Sequence, residues 1–424
     1  MKKIKLFLLV IIVWTAALLP LSAQPGSPFP TNYVSLQALL DSVITYRAVL
    51  LTPGGELPFR LQLPAVLFEG KIQGEIINGN EVINVTGKML NDTLSLDFPV
   101  FNTEIVGRYY IGSQTFDGFW YDHSRSGNYG LPFYAIANEN YRFIQNPYTP
   151  SINISGRYDA VFKDETSTDS TVAILHLDGN HLTGTFLTTT GDYRFLEGDV
   201  SNNMFYLSAF DGSHAFLFKG KINDDGTLIG DYWSGKHYHA KFTAVKNENA
   251  KLPDPTKLTY LKEGYSKIEF SFPDENGNLI SLEDERFKNK VVVIQITGSW
   301  CPNCMDETSY MSEVEEKYKN KDLAIVALSF ERQPDPQNFK INIDRLKNHF
   351  GIDYLYLNAG LPKNASEVLP MLNHVMGFPT TIILNKKHEV AEIYTGFNGP
   401  ATGQLFLDYQ KDFEELVERL MNDQ

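Results

Sequence analysis

Cys301 and Cys304 are the only two cysteines among the 424 residues of this sequence. At this spacing they can close a short disulfide, supply part of a metal site, or act as a redox pair. A metal site needs about four ligands. The sequence offers no third cysteine and no histidine pair nearby, so we expect no metal ion and no bound cofactor. A disulfide that closes so short a loop constrains little of the unfolded chain, which makes a structural staple a poor explanation.

The segments on either side of the pair indicate how it is positioned. Residues 290–300 (KVVVIQITGSW) form an almost continuous apolar run, which is typical of a strand buried on both faces. A helix is predicted from Cys301 to Asn320, and the unpaired N–H groups at its start favour a thiolate. Pro302 suits the first turn, and Cys304 lies one turn later, within reach of a disulfide. This placement favours the redox pair, with Cys301 as the nucleophile and Cys304 as the resolving cysteine.

Strands and helices alternate along the last third of the chain. The apolar runs LAIVALSF and TTIIL predict strands, whereas NFKINIDRLKNHFG and the closing LFLDYQKDFEELVERLM predict amphipathic helices. Such alternation is typical of an α/β layer. We therefore expect an α/β domain over residues 263–424, preceded by a polar linker with two prolines at residues 248–262.

The chain before the linker has a different pattern. The segment SLQALLDSVITYRAVL predicts a short helix within residues 31–50, and short alternating runs separated by Gly, Asn and Asp follow. We expect one β-rich unit at residues 31–145 and a second, barrel-like unit at residues 152–247, which offers enough strands for a small closed barrel. The predicted fold class is multidomain α+β, with an N-terminal antiparallel β-rich barrel or sandwich region before the C-terminal α/β domain.

The two β-rich units show weak internal similarity. GFW at residues 118–120 is followed by FYA at residues 133–135, and GDYW at residues 230–233 is followed by FTA at residues 242–244. Either the β-rich unit is duplicated or the same turn chemistry recurs within one barrel.

Residues 1–23 are predicted to be a signal peptide. Lys2, Lys3 and Lys5 precede an apolar stretch at residues 6–19 that ends at a proline and small residues. That stretch is shorter than the roughly 20 residues of a membrane span. We expect export to the periplasm with no membrane span left after cleavage; the alternative is an uncleaved signal that anchors the chain.

The charge balance argues against a nucleic-acid partner. The sequence has 37 basic and 51 acidic residues, which gives a net charge of −14, and it contains no block of Lys or Arg. An acidic chain without a basic patch repels phosphate backbones.

Residues from about 265 to 424 resemble the thioredoxin fold, and in particular the TlpA-like exported thiol-disulfide oxidoreductases. The resemblance is carried by WCPNC at residues 300–304, by Glu307 three residues after the second cysteine, and by GFPTT at residues 377–381. It implies that the C-terminal α/β domain is thioredoxin-like. No comparable resemblance extends over residues 31–250.

The resemblance implies roles for further residues. Pro379 would be cis and would turn the backbone before it towards a bound peptide, which could pair there as an added strand. Trp300 is either core filling or a shield and docking surface beside the sulfur.

Thioredoxins carry a buried aspartate as proton acceptor six residues before the first cysteine, where this sequence has Gln295. An amide cannot take up a proton, so Glu307 is the candidate acceptor, unless it is an ordinary solvated helix residue.

The function predicted from these features is exchange of disulfides with partner proteins, as a reductase. In an oxidising compartment such work needs an electron supply, which implies a membrane-bound thiol donor. One alternative is a peroxiredoxin-like peroxidase, although Gly298 stands where that class has Thr or Ser. The other is a ligand- or partner-binding β module with an accessory thioredoxin domain.

Two groups of residues in the β-rich region are candidates for that second alternative. His237 and His239 lie on one strand face and could bind a metal. Asp192, Arg194 and Asp211 lie in turn-rich segments and could line a pocket. Ordinary strand surface and turn or salt-bridge structure are the competing interpretations of these residues.

Overall fold

The computed structural model describes residues 42–423, which form two closed β-barrels followed by an α/β domain. The predicted signal peptide at residues 1–23 and the first part of the predicted helix within residues 31–50 lie outside the described residues. Among the residues that are described, no helix is long and apolar enough to cross a bilayer.

The first barrel consists of eight antiparallel strands that pair in sequence order, and β8 closes it by pairing with β1. Its strands are β1 Val43–Thr52, β2 Gly55–Pro64, β3 Gly70–Asn78, β4 Glu81–Leu90, β5 Thr93–Asp97, β6 Thr103–Tyr110, β7 Thr115–Asp122 and β8 Tyr129–Ala137. The alternating side chains that point inwards are buried and fill the barrel.

The predicted helix within residues 31–50 is wrong over its described part, because Val43–Thr52 is strand β1. This segment is rich in β-branched and apolar residues, which suit a strand buried on one face. Its backbone pairs with β2 on one side and with β8 on the other, so the closure of the barrel depends on its being extended.

The second barrel also contains eight strands, and it closes through the pairs β9–β17 and β10–β11. A ninth, two-residue strand, β12, extends the end of β11. The strands are β9 Gly156–Lys163, β10 Thr168–Asp178, β11 His181–Thr188, β12 Gly191–Asp192, β13 Leu196–Ser201, β14 Met204–Phe210, β15 Ala215–Ile222, β16 Leu228–Ser234 and β17 Tyr238–Lys246. Stacked and edge-on aromatic rings fill its interior, among them those of Phe162, Phe186, Phe218 and Tyr232.

The weak internal similarity falls on equivalent strands of the two barrels. In the first barrel Gly107, Gly118 and Phe133 lie side by side across the last three strands. In the second barrel Gly220, Gly230 and Phe242 form the same row across the corresponding strands. Matching residues in matching register favour a duplicated unit over recurrent turn chemistry.

The α/β domain is built on a five-stranded sheet with the order β22-β21-β20-β23-β24, in which β20, β21 and β22 are parallel. A small hairpin, β18 with β19, precedes this sheet. The elements are β18 Ser271–Pro273, β19 Leu279–Ser281, β20 Val291–Thr297, α1 Pro302–Lys317, β21 Leu323–Phe330, α2 Pro336–Phe350, β22 Leu355–Gly360, α3 Ala365–Val368, β23 Thr380–Leu384, β24 Val390–Thr395 and α4 Gln404–Asn422.

Strand β20 is the central strand, and every one of its residues is buried. Val293 faces a core formed with α1, α2 and α4, whereas Ile294 faces a second core formed with the β18–β19 hairpin and α3. Apolar residues on both faces account for the continuous hydrophobic run in the sequence. The strand ends at Thr297, and the short segment after it leads to Cys301.

Candidate active site

Cys301 caps the N-terminus of helix α1 and is bonded to Cys304 through a disulfide. The backbone N–H of Cys304 points at the sulfur of Cys301 from 3.2 Å. Pro302 occupies the first helical position, where its missing N–H leaves no helix bond unmade. The helix end and this N–H both favour negative charge on the Cys301 sulfur in the reduced protein.

The loop that carries Pro379 lies directly beside the cysteines. The Phe378–Pro379 peptide bond is cis, as the resemblance implied. The carbonyl oxygen of Phe378 lies 3.6 Å from the sulfur of Cys301. The last turn before strand β23 and the first turn of α1 therefore meet at the disulfide.

Trp300 is half-buried and is packed on several sides. Its indole N–H donates to the carbonyl oxygen of Phe330 over 2.8 Å. Its ring lies against that of Phe378, with a centroid distance of 5.5 Å, and under the guanidinium of Arg332 at 4.7 Å. The hydroxyl of Ser213, from the second barrel, donates to its backbone carbonyl oxygen over 3.4 Å.

Glu307 is fully buried, so it is not a solvated helix residue. Its carboxylate accepts a hydrogen bond from the side-chain amide of Gln295 over 2.8 Å and another from the hydroxyl of Thr381. Tyr354 in turn donates to the amide oxygen of Gln295 over 2.9 Å. Burial raises the pKa of Glu307 to about 7, although both hydrogen bonds act in the opposite direction. Gln295 therefore contacts the carboxylate of Glu307, the candidate to replace the aspartate that thioredoxins have at position 295.

Glu331 is a buried residue of the site that sequence reasoning missed. It accepts hydrogen bonds from the backbone N–H of Ser299 over 3.0 Å and from the hydroxyl of Ser329 over 2.6 Å. The hydroxyl of Ser299 also donates to it, over 2.5 Å. The sequence feature that indicates Glu331 as a site residue is its position directly after β21, because the ends of neighbouring parallel strands meet at one edge of the sheet.

The histidines of the β-rich region have separate partners. His237 lies 2.9 Å from the Tyr129 hydroxyl, and burial lowers its pKa to about 4. His239 lies 2.8 Å from the carboxylate of Asp231. Over residues 42–423, no group of three or more His, Cys, Asp or Glu side chains is arranged to hold a metal ion.

The turn residues of the second barrel take part in ionic and hydrogen-bonded contacts with the α/β domain. Arg194 pairs with Asp211 at 3.1 Å within its own barrel and with Asp306 of helix α1 at 2.7 Å. Asp192 accepts a hydrogen bond from the backbone N–H of Gly399 over 2.7 Å. Salt-bridge structure thus describes these residues, but its partners include the helix that carries the cysteines.

The α/β part of the chain has recognisable relatives. Residues 249–404 match the Redoxin family. Thiol-disulfide oxidoreductase ResA of Geobacillus kaustophilus is 27% identical over 143 residues, which are 33% of this chain and 74% of that protein. ResA of Bacillus subtilis is 27% identical over 138 residues, 32% of this chain and 69% of that protein. Thioredoxin-like protein YneN of the same organism is 26% identical over 136 residues, 32% of this chain and 73% of that protein.

Two solved structures are similar to part of the chain. A thiol-disulfide oxidoreductase from Bacteroides fragilis is 23% identical, with 33% of this chain and 97% of that chain covered and a TM-score of 0.27. A thioredoxin family thiol:disulfide interchange protein from Chlorobium tepidum is 18% identical, with 37% and 96% covered and a TM-score of 0.28. On the family match and the sequence relatives, the C-terminal part of the chain is a TlpA-like thioredoxin-fold domain, and the enzyme class is thiol-disulfide oxidoreductase.

Proposed function

We propose that the chain is an exported, periplasmic reductase of disulfides in partner proteins, with Cys301 as nucleophile and Cys304 as resolving cysteine. The observation that carries the proposal is the placement of the Cys301 sulfur. It caps helix α1, is bonded to Cys304, and lies 3.6 Å from the loop of the cis-proline.

The first step is attack on a partner disulfide. In the reduced enzyme the helix end and the Cys304 N–H stabilise the thiolate of Cys301. This thiolate forms a bond to one partner sulfur, the partner S–S bond breaks, and the other partner sulfur leaves as a thiolate that takes up a proton. The product is a mixed disulfide between Cys301 and the partner.

The second step releases the partner. The Cys304 thiol gives its proton to the Glu307 carboxylate and attacks the sulfur of Cys301, and the remaining partner sulfur leaves as a thiolate that takes up a proton from water. The enzyme now carries the Cys301–Cys304 disulfide, and the partner has gained two electrons and two protons. A membrane-bound dithiol donor supplies the electrons that reduce the enzyme again.

The remaining parts of the chain have proposed roles consistent with this chemistry. Residues 1–23 direct export as a cleaved signal peptide. The β-rich units at residues 31–145 and 152–247 and the domain at residues 263–424 are separate domains, with residues 248–262 as the linker. Trp300 and the loop before Pro379 form the surface on which a partner docks.

A redox titration tests the direction of the reaction. The purified chain is equilibrated with mixtures of reduced and oxidised glutathione, its free thiols are alkylated, and the disulfide fraction is measured by mass spectrometry. A reductase is expected to have a potential near that of thioredoxin, about −270 mV. No consumption of hydrogen peroxide by the reduced protein is expected.

Two results would contradict the proposal. A potential near that of a strong oxidant such as DsbA, about −120 mV, would reverse the direction of the reaction. Rapid peroxide consumption that depends on Cys301 would assign a peroxidase instead.

A further inference from the structure

A hairpin of the second barrel lies against Asn303, between the two cysteines. Residues 188–192, here called the cover hairpin, join the end of β11 to the short strand β12 through a turn at Thr189 and Thr190. Turns at the end of a barrel normally lie in solvent. In this one Gly191 and Asp192 are buried, because the α/β domain covers them.

The cover hairpin is fitted to the residues between the two cysteines. In the orientation that satisfies its amide, Asn303 donates to the carbonyl oxygen of Asp192 over 3.3 Å and accepts from its N–H over 3.2 Å. Gly191 has no room for a Cβ, which would overlap the Asn303 side chain. The side chain of Asn303 therefore pairs with the hairpin backbone as a neighbouring strand would.

The same hairpin also covers the two loops that flank the disulfide. A Cβ on Gly377, two residues before Pro379, would overlap the side chain of Thr190. Gly191 forms a parallel bridge with Phe397, which follows strand β24. The cover hairpin thus lies against the residue that precedes the Phe378–Pro379 pair, next to the backbone with which an extended partner segment would pair.

A buried ionic contact holds the cover hairpin in place. The Arg194 guanidinium, just beyond the hairpin, is 11% exposed and pairs with Asp306 of helix α1 at 2.7 Å. Glu81 of the first barrel and Asp211 of the second pair with the same guanidinium. Removal of one partner from a buried pair is costly, so this contact resists displacement of the hairpin.

The proposed nucleophile is itself nearly inaccessible. Cys301 is 6% exposed and Cys304 is fully buried. We propose that the cover hairpin determines which disulfides reach Cys301: small disulfides react directly, whereas a disulfide within a folded protein reacts only after the partner displaces the hairpin. This inference rests on the proposed role of Cys301 as the nucleophile, and it makes residues 188–192 and the Arg194–Asp306 pair specificity-determining elements.

Access can be measured without turnover. In a Cys304→Ser background, Cys301 is the sole thiol of the full-length chain. The alkylation rate of Cys301 is measured with N-ethylmaleimide and with a maleimide group attached to a small, cysteine-free carrier protein. The ratio of these two rates is then divided by the same ratio measured for a short cysteine-containing peptide. Because both reagents attack the same thiolate, the ratio reports access rather than reactivity, and we expect the carrier to be slowed at least about tenfold.

Two variants in this background test whether the hairpin is the barrier. Asp306→Asn breaks the ionic contact with Arg194 while keeping the side-chain shape. Thr190→Gly removes the side chain that packs on Gly377 at a half-buried turn, with little risk to folding. Both are expected to bring the normalised ratio towards one. The control, Glu313→Gln on an exposed position of the same helix, is expected to leave it unchanged.

The inference is overturned if, with the hairpin unchanged, the carrier alkylates Cys301 as fast as N-ethylmaleimide does after normalisation. It is equally overturned if the carrier is slowed and neither Asp306→Asn nor Thr190→Gly changes the ratio. A failure of the proposed reductase function would appear in the redox titration. It would not change the alkylation ratio, because that ratio measures access to Cys301 and not the redox potential.

Discussion

Glu307 lies between two neutral hydrogen-bond donors, the amide of Gln295 and the hydroxyl of Thr381. Burial raises its pKa to about 7. A carboxylate with a pKa near the working pH is well suited to accept and return a proton. The amide that stands in place of the usual aspartate therefore donates to the carboxylate that we propose as the replacement acid.

Replacing Glu307 by Gln is expected to slow the resolving step by about 100-fold. With a small aromatic disulfide whose thiolate is coloured, attack by Cys301 releases the first equivalent and attack by Cys304 releases the second. Only the second phase is expected to slow. In the unsubstituted enzyme that phase should accelerate as the pH rises through about 7, because Glu307 must first lose its own proton. Equal second phases in the two proteins would remove Glu307 from the mechanism, and Glu313→Gln is the matched control.

The raised pKa of Glu307 also predicts how stability depends on pH. Between about pH 4.5 and pH 7 the folded protein retains a proton that the unfolded chain has released, so the free energy of unfolding falls as the pH rises. The loss amounts to about 3 kcal/mol between pH 4 and pH 8. Urea unfolding of the unsubstituted protein and of Glu307→Gln should show this difference in slope. Parallel pH profiles would mean that Glu307 is ionised in the folded protein at low pH.

At the scale of elements, the ends of β20 and β21 are tied together by Glu331. Its replacement by Ala leaves the Ser299 N–H and the hydroxyls of Ser299 and Ser329 without their acceptor. We expect a loss of about 3 kcal/mol in the free energy of unfolding, measured by denaturant titration. Glu283→Ala, at an exposed position, is expected to cost less than about 0.5 kcal/mol. Similar losses for both variants would show that Glu331 does not hold the strand ends.

Local sequence patterns predicted most elements of the α/β domain, but strand β22 and the short helix α3 were not predicted. The continuous apolar run predicted β20, and the predicted helix from Cys301 agrees with α1, which covers Pro302–Lys317. The helix predicted within residues 31–50 was wrong at β1, because the conformation of that segment is decided by pairing with β8, far along the chain. Periodicity within a window does not contain that information.

At the scale of the whole molecule, Arg142 links the two barrels. It lies between β8 and β9, is 5% exposed, and pairs with Glu197 of the second barrel at 2.6 Å. The same guanidinium donates to Asn78 of the first barrel over 3.3 Å. The connection between the barrels is therefore held by a buried charge with partners in both.

Arg142→Met is expected to lower the free energy of unfolding by about 3 kcal/mol, since it leaves the buried Glu197 carboxylate short of a partner. Arg108→Met removes an exposed pair with Asp92 and should cost less than about 1 kcal/mol. Denaturant unfolding of both variants distinguishes them. If the two losses are equal, the buried pair contributes no more than a surface pair does.

The contacts between the barrels and the α/β domain were beyond the reach of sequence reasoning. The sequence predicted that Asp192, Arg194 and Asp211 lie in turn-rich segments, but it did not predict which residues they contact. Arg194 and Asp306 are 112 positions apart, and no local pattern relates them. The spacing and neighbours of the cysteines predicted the redox pair, whereas the cis conformation of Pro379 was predicted from the resemblance to the TlpA-like family.

The most direct test of the central claim is capture of a reaction intermediate with the full-length Cys304→Ser variant. Without its resolving thiol, Cys301 is expected to remain bonded to a partner sulfur. These mixed disulfides should appear in the exported fraction on non-reducing gels, vanish on reduction, and be absent from the Cys301→Ser control. If Cys304→Ser and Cys301→Ser give the same pattern, Cys301 does not attack partner disulfides and the account is contradicted.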